Sequence, residues 1–174
     1  MNKVILYIAT SLDGFIADHQ GGVDWLPHPN DPEDLLGFKA LMERISGIVM
    51  GSKSYKQILS FGAWAWPHKK TYVFTSQNLT TEQSCIEFVK DNPQTFMEKE
   101  VITQKTKNLW LLGGATLARS FAEAKLVDEV IMSIIPIHLE KGIALELPWN
   151  DFIITNTKPC MDGIVQNKYE KKKV

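Results

Sequence analysis

"NLWLLGGATLARSFAEAKLVDEVIMS" (Asn108–Ser133) holds a strand, a bare turn, a helix and a second strand in one span. Leu109–Leu112 is an unbroken apolar run, the kind that a parallel sheet buries on both faces. Gly113-Gly114 ends it without side chains. The pattern from Ala115 to Ala124 predicts a helix, and Val127 to Ile135 predicts a long strand. At such a junction two glycines serve either of two purposes. They let the chain turn tightly, or they let an anion approach the free N–H groups and the positive dipole end of the helix.

Further out, Met50-Gly51-Ser52-Lys53-Ser54-Tyr55 repeats that grammar: a short apolar strand, then glycine, then hydroxyl and cationic residues opening a helix. Two helix N-termini at neighbouring strand ends are suited to the two ends of a dinucleotide. Neither junction has the Walker spacing, and GxGxxG is absent. Strands are predicted at Val4–Ala9, Gly47–Met50, Lys70–Thr75 and Cys85–Val89. Helices are predicted from Asp31 through Ile45, from Gly51 through Leu59 and from Pro93 to Lys105, the first capped by Asp31 with Pro32 in its opening turn. Phe152–Thr157 and Ile164–Tyr169, joined by Met161-Asp162-Gly163, predict a closing antiparallel pair. This alternation argues for an α/β fold with a mixed, mostly parallel sheet flanked by helices.

With 174 residues, 44% of them hydrophobic and a net charge of -1, the chain is expected to form one domain over residues 1–174. Nothing in that balance draws it to nucleic acid or an anionic membrane. The basic tail, Lys168 and Lys171–Lys173, reads as a solvated end. Cys85 and Cys160 form no CxxC pair, and His19, His28, His68 and His138 have no HxxxH spacing, so no metal is expected and the thiols are expected reduced. The apolar run at Val4–Ala9 is too short for a signal segment, which sets a cytoplasmic expectation.

Taken in order, "YIATSLDGFIA" (7–17), "VDWL" (23–26), "IVMGSKSYKQIL" (48–59), "KKTYVFTS" (69–76), "LLGGATLARSF" (111–121) and "LVDEVIMSIIPIHLEKG" (126–142) resemble the dihydrofolate reductase-like family, including the reductase domain of riboflavin biosynthesis. The resemblance implies a three-layer fold, a nicotinamide cofactor, NADPH or else NADH, and hydride transfer to a pterin or pyrimidine. It places the cofactor pyrophosphate against Gly51, Ser52, Lys53 and Ser54 and against Gly113, Gly114, Ala115 and Thr116. The nicotinamide falls near Ala9, Ile16 and Ala17, and the adenosine ribose near Thr75 and Ser76. It also implies a homodimer. Two departures stand out: Ser52-Lys53 where many relatives have arginine after the glycine, and Glu140 where relatives commonly have glycine. Lysine offers a point charge in place of a bidentate fork, which weakens the expected grip on a 2′-phosphate.

Reduction of a C=N or C=O group requires a proton, from an acid of raised pKa or from an ordered water. Asp34 in "DPEDLLGFK" (31–39) matches the aspartate of the folate reductases that contacts the pterin. It lies one turn before Phe38, so its carboxyl is expected among apolar neighbours and its pKa raised. The alternative is an acid answering the helix dipole. Asp13 is expected to shape the turn with Gly14, and Tyr55 to pack its helix. Trp25, Trp64 and Trp66 are open between a heterocycle pocket, an oligomer contact and core. Dihydrofolate is the first substrate expected if Asp34 is buried. The riboflavin intermediate, a ribosylaminopyrimidine phosphate, is the alternative, although the chain has no obvious arginine pair for its phosphate: only Arg44 and Arg119 are present. Outside enzymes, the same junctions suit a nucleotide-binding module without turnover, and a purely structural domain would bind no nucleotide.

Overall fold

In the computed structural model, which describes residues 3–27, 34, 36–103 and 108–173, strands and helices alternate as the periodicity requires. The first half contains β1 (Lys3–Ser11), β2 (Phe15–Asp18), α1 (Phe38–Arg44), β3 (Gly47–Gly51), α2 (Ser52–Ser60), β4 (Lys70–Phe74) and β5 (Ile86–Val89). The second contains α3 (Pro93–Thr103), β6 (Asn108–Gly113), α4 (Ala115–Glu123), β7 (Glu129–Ile135), β8 (Gly142–Ala144), β9 (Phe152–Pro159) and β10 (Val165–Lys171). One eight-stranded sheet has the order β5-β4-β3-β6-β1-β7-β10-β9. Pairing is parallel from β5 to β7, and β10 and β9 close the edge antiparallel. This is the predicted mixed α/β architecture, with its closing hairpin.

The sheet separates two cores because successive strand residues point to opposite faces. Val4, Leu6, Leu109 and Leu111 face α3 and α4, where Phe96, Ala118 and Phe121 cover them. Ile5, Ile48 and Trp110 face the other way, under Leu41 of α1 and Tyr55 of α2. Trp64 is core here, and Tyr55, Trp64, Trp66 and Trp110 form an aromatic chain with successive centroids 5.8, 5.5 and 5.2 Å apart, the first contact tilted and the other two edge-on. At the far end of the sheet, Glu129 is 1% exposed and accepts from both terminal nitrogens of Arg44, tying α1 to β7.

Two features depart from the local reading. Helix α1 begins at Phe38, after Gly37 in a left-handed conformation (φ 74), and Ile45 is already extended. The expected start at Asp31 and Pro32, together with Glu33 and Leu35, lies outside the described residues. The small antiparallel sheet of β2 and β8 was not legible. Its strands have four and three residues, with Asp18 and Gly142 124 positions apart in the chain, and each is too short to show a period. Gly142 is required there, since a Cβ would collide with the Ala17 carbonyl and the Phe15 side chain.

Candidate functional site

The two glycine junctions meet. Strands β3 and β6 are neighbours, with Met50 opposite Gly113, so their carboxyl ends deliver Gly51 and Gly113-Gly114 side by side. A Cβ built on Gly51 would stand 3.9 Å from both the Gly113 carbonyl oxygen and the Gly114 nitrogen, and one on Gly114 would stand 3.6 Å from Ser54 Oγ. Gly113 has φ 121, which side-chain-bearing residues rarely adopt, and the Gly113-Gly114 peptide is cis. Gly51 and Gly114 are the N-caps of α2 and α4, and neither helix has a side-chain cap. Their first-turn N–H groups therefore converge without side-chain acceptors, as an anion requires. Ser52, Ser54 and Ala115 are partly buried around this point, whereas Lys53 and Thr116 are exposed.

Beside the junctions, β1 ends at Ala9-Thr10-Ser11, and a Cβ on Gly113 would lie 3.9 Å from Ile8 Cδ1. Ala9 is in register with Ser133 of β7, which is in register with Gln166 of β10. Ile5 and Ile131 mark that face as the one covered by α1. Gly51 and Gly113 thus end β3 and β6, and Ala9 and Ser133 stand two positions before the ends of β1 and β7, near the carboxyl edge of the sheet, where open α/β folds bind ligands. Ile16 and Ala17 belong to β2, alongside β1. Thr75 and Ser76 follow β4, where Thr75 N–H donates to the Val89 carbonyl at 3.0 Å. The predicted cofactor residues are consequently grouped at one edge, and Thr75 and Ser76 extend it beyond β3.

One set of contacts beside this edge has no sequence signal. Gln166 Nε2 donates to the Leu36 carbonyl at 2.7 Å and to Ser133 Oγ at 3.0 Å, and Tyr7 Oη donates to the same Leu36 carbonyl at 3.1 Å. These contacts hold the segment before α1 against the sheet. A separate cavity of about 180 Å³ lies on the opposite face, between Thr10, Met132, Leu145 and Trp149, and no junction residue lines it.

Asp34 corrects the expectation placed on it. Its Oδ1 accepts from Lys39 N–H at 2.8 Å and its Oδ2 from Ala40 N–H at 3.0 Å, so the carboxylate caps α1. Desolvation, the largest single influence, raises its pKa; the Lys39, Ala40 and Phe38 amides together outweigh it, and the net shift is downward. The raised pKa expected from apolar surroundings is absent because the helix N-terminus supplies donors that favour the ionised form. Asp13 takes the turn-shaping role. It accepts from Ser11 Oγ at 2.6 Å and from the N–H groups of Leu139 and Glu140 at 3.2 and 2.9 Å. Desolvation opposes these bonds, but they hold the carboxyl down at about 2. Glu140, where the resemblance led to an expectation of glycine, has φ 62.

Both arginines are committed elsewhere: Arg44 to Glu129, and Arg119 to Glu123 and Glu146. Among the described residues no group of three or more His, Cys, Asp or Glu could hold a metal, and no helix is long and apolar enough to cross a membrane.

Comparison with known proteins agrees with this arrangement. The chain is 32% identical to the uncharacterized protein YyaP of Bacillus subtilis (strain 168), over 96% of this chain and 94% of that one. A crystal structure described as a riboflavin biosynthesis protein of Shewanella sp. PV-4 is 31% identical and superposes with a TM-score of 0.84, over 98% of this chain and 99% of that one. Dihydrofolate reductase of Enterococcus faecalis, solved with NADP(H), shares the fold with a TM-score of 0.71 at 17% identity, over 98% of this chain and 97% of that one. The fold is thus one used by reductases. The RibD C-terminal domain model matches residues 2–142, and with the glycine junctions, sheet order and closing hairpin in place, the chain belongs to that family.

Proposed function

We propose that the protein is an NAD(P)H-dependent reductase that transfers hydride to a pterin- or pyrimidine-type heterocycle. The observation that carries this reading is the convergence of two helix N-termini without side-chain caps on glycine junctions whose Cβ-free surfaces face each other. A dinucleotide's pyrophosphate fits that cradle: Gly51, Ser52, Lys53 and Ser54 hold it from one side, and Gly113, Gly114, Ala115 and Thr116 from the other. Ala9, Ile16 and Ala17 bound the nicotinamide side, and Thr75 and Ser76 the ribose. When bound, the cofactor supplies the hydride. The small residues at Ala9 and Ser133 leave room for a flat ring against the sheet, between it and the segment held at Leu36. With Asp34 ionised and bound to its own helix, we assign the proton to water, the other donor that the chemistry permits. Asp34 acts instead by fixing the start of α1.

Dihydrofolate as first substrate depended on a buried acid that the structure does not provide. The ribosylaminopyrimidine phosphate needs a basic contact beyond the cofactor, and both arginines are already paired. A heterocycle without a phosphate arm therefore fits best. Titration with NADPH should quench fluorescence from the Trp64–Trp66–Trp110 chain, and adding dihydrofolate or an aminopyrimidinone should then diminish the nicotinamide absorbance. Failure to bind either nicotinamide coenzyme would remove the reading; binding without oxidation of any heterocycle would favour a nucleotide-binding module.

A further inference from the structure

On the face of β1 away from Ala9, the hydroxyl of Thr10 has no use in the fold. Thr10 stands in register with Ile134 of β7 and is 3% exposed, and its Oγ1 makes no hydrogen bond to any described residue. Sealing such a group from water is costly. Among the described residues, the unpartnered side-chain nitrogens and oxygens that are sealed are Trp25 Nε1 and Trp64 Nε1, so Thr10 Oγ1 opens instead into the cavity of about 180 Å³ that it lines. The rest of that cavity offers little that is polar. Ser11 Oγ is spent, donating to Asp13 at 2.6 Å and accepting from Phe15 N–H at 3.0 Å. Leu12 N–H donates to the Ile137 carbonyl, Gly14 N–H to the Ser11 carbonyl and Leu145 N–H to the Gly14 carbonyl. Met132, Ile134, Leu145 and Trp149 supply apolar surface, and no charged side chain among the described residues lines the space. A buried water is held by roughly two to four polar partners, and one open hydroxyl is too few. Water so poorly held is displaced favourably by apolar surface.

We propose that this cavity is a second ligand site, for a neutral single-ring molecule carrying one hydrogen-bonding group. Size sets the single ring: about 150 Å³ is enough for benzene, whereas drug-sized ligands take pockets of about 300 Å³ or more. The uncharged lining sets neutrality, since an ion entering there would lose its water and gain no counter-charge. Trp149, 38% exposed, and the Met132 thioether favour an aromatic ring over an alkyl chain of similar size. The Thr10 hydroxyl both donates and accepts, so either kind of group on the ring satisfies it. Successive residues of β1 point to opposite sides of the sheet, so this ligand and a ring beside Ala9 would sit back to back. The site therefore stands independently of the reductase reading.

The test titrates the protein with phenol and with toluene, following the methyl signals of Met132 and Ile134 and the indole signal of Trp149 by NMR. Both probes should shift these signals saturably in the wild-type chain. Thr10→Val keeps the shape of the side chain and removes the hydroxyl. It should weaken phenol about fivefold, the worth of one net hydrogen bond, and leave toluene within about twofold. A Thr10→Val chain that loses both probes alike, or neither, would overturn the proposal. The wild-type titrations decide even should that variant fold poorly: no saturable shift at Met132 and Trp149, or shifts centred instead on Ala9 and Gly114, would also overturn it.

Discussion

A single dihedral angle gives a conformational meaning to the position where the family resemblance leads one to expect glycine. Glu140 has φ 62, and its N–H donates to Asp13 Oδ2 at 2.9 Å. The left-handed region costs a side-chain-bearing residue roughly 1–2 kcal/mol, partly offset by the chain entropy a glycine would lose. Glu140→Gly is therefore expected to raise stability by about 0.5–1 kcal/mol, read as a higher urea midpoint with an unchanged slope. The Asp13 carboxylate on the other side of that bond has an acid dependence of defined sign. Its pKa is lowered in the fold, so its contribution is complete above the ordinary value of 3.8 and is lost as pH falls through about 2. Asp13→Asn should flatten the stability profile across that window, and a profile identical to wild type would show that the turn does not depend on the charge.

At the scale of elements, a strand end and a helix start make one device twice, in β3–α2 and β6–α4. The device needs bare backbone more than it needs any side chain. Gly114 has φ -71, which other residues adopt without strain, and its nearest obstacle to a Cβ is Ser54 Oγ at 3.6 Å. Gly114→Val is accordingly expected to fold with little change in melting temperature, yet to weaken NADPH binding roughly tenfold or more by blocking the approach to the α4 amides. Fluorescence titration measures the affinity, and an unchanged value would take the pyrophosphate away from this junction. These junctions were readable because strand, glycine and helix start are contiguous. The raised pKa expected of Asp34 failed for the complementary reason: residue spacing gives the face of a helix, but α1 starts at Phe38, so Asp34 lies before it and caps its first amides, as the alternative reading of that acid had it.

Across the whole molecule, the site occupies one end of the sheet and a buried ion pair the other. Glu129 accepts from Arg44 and has Lys168 at 3.6 Å, joining α1, β7 and β10 below the aromatic chain. Removing Arg44 strands a buried carboxylate with one more distant cation. Arg44→Ala should destabilise the fold by about 1–3 kcal/mol, less than a fully enclosed pair because Arg44 itself is half-exposed. NADPH affinity should hold, and a parallel loss would mean that the two ends of the sheet are coupled.

The amino-acid sequence by itself determined the alternation of strands and helices, the mostly parallel sheet, the closing hairpin and the two glycine junctions. All of these are written in contiguous periodicity, where each residue's neighbours in the chain are its neighbours in the element. Only the tertiary structure decided the hydrogen bonds that keep Asp34's pKa low, the pairing of β2 with β8, and the contacts of Gln166 with Leu36 and Ser133. Gln166 meets Leu36 across 130 positions and Ser133 across 33. A hydrogen bond of 2.7–3.0 Å between such distant residues exists only after the sheet has set their register.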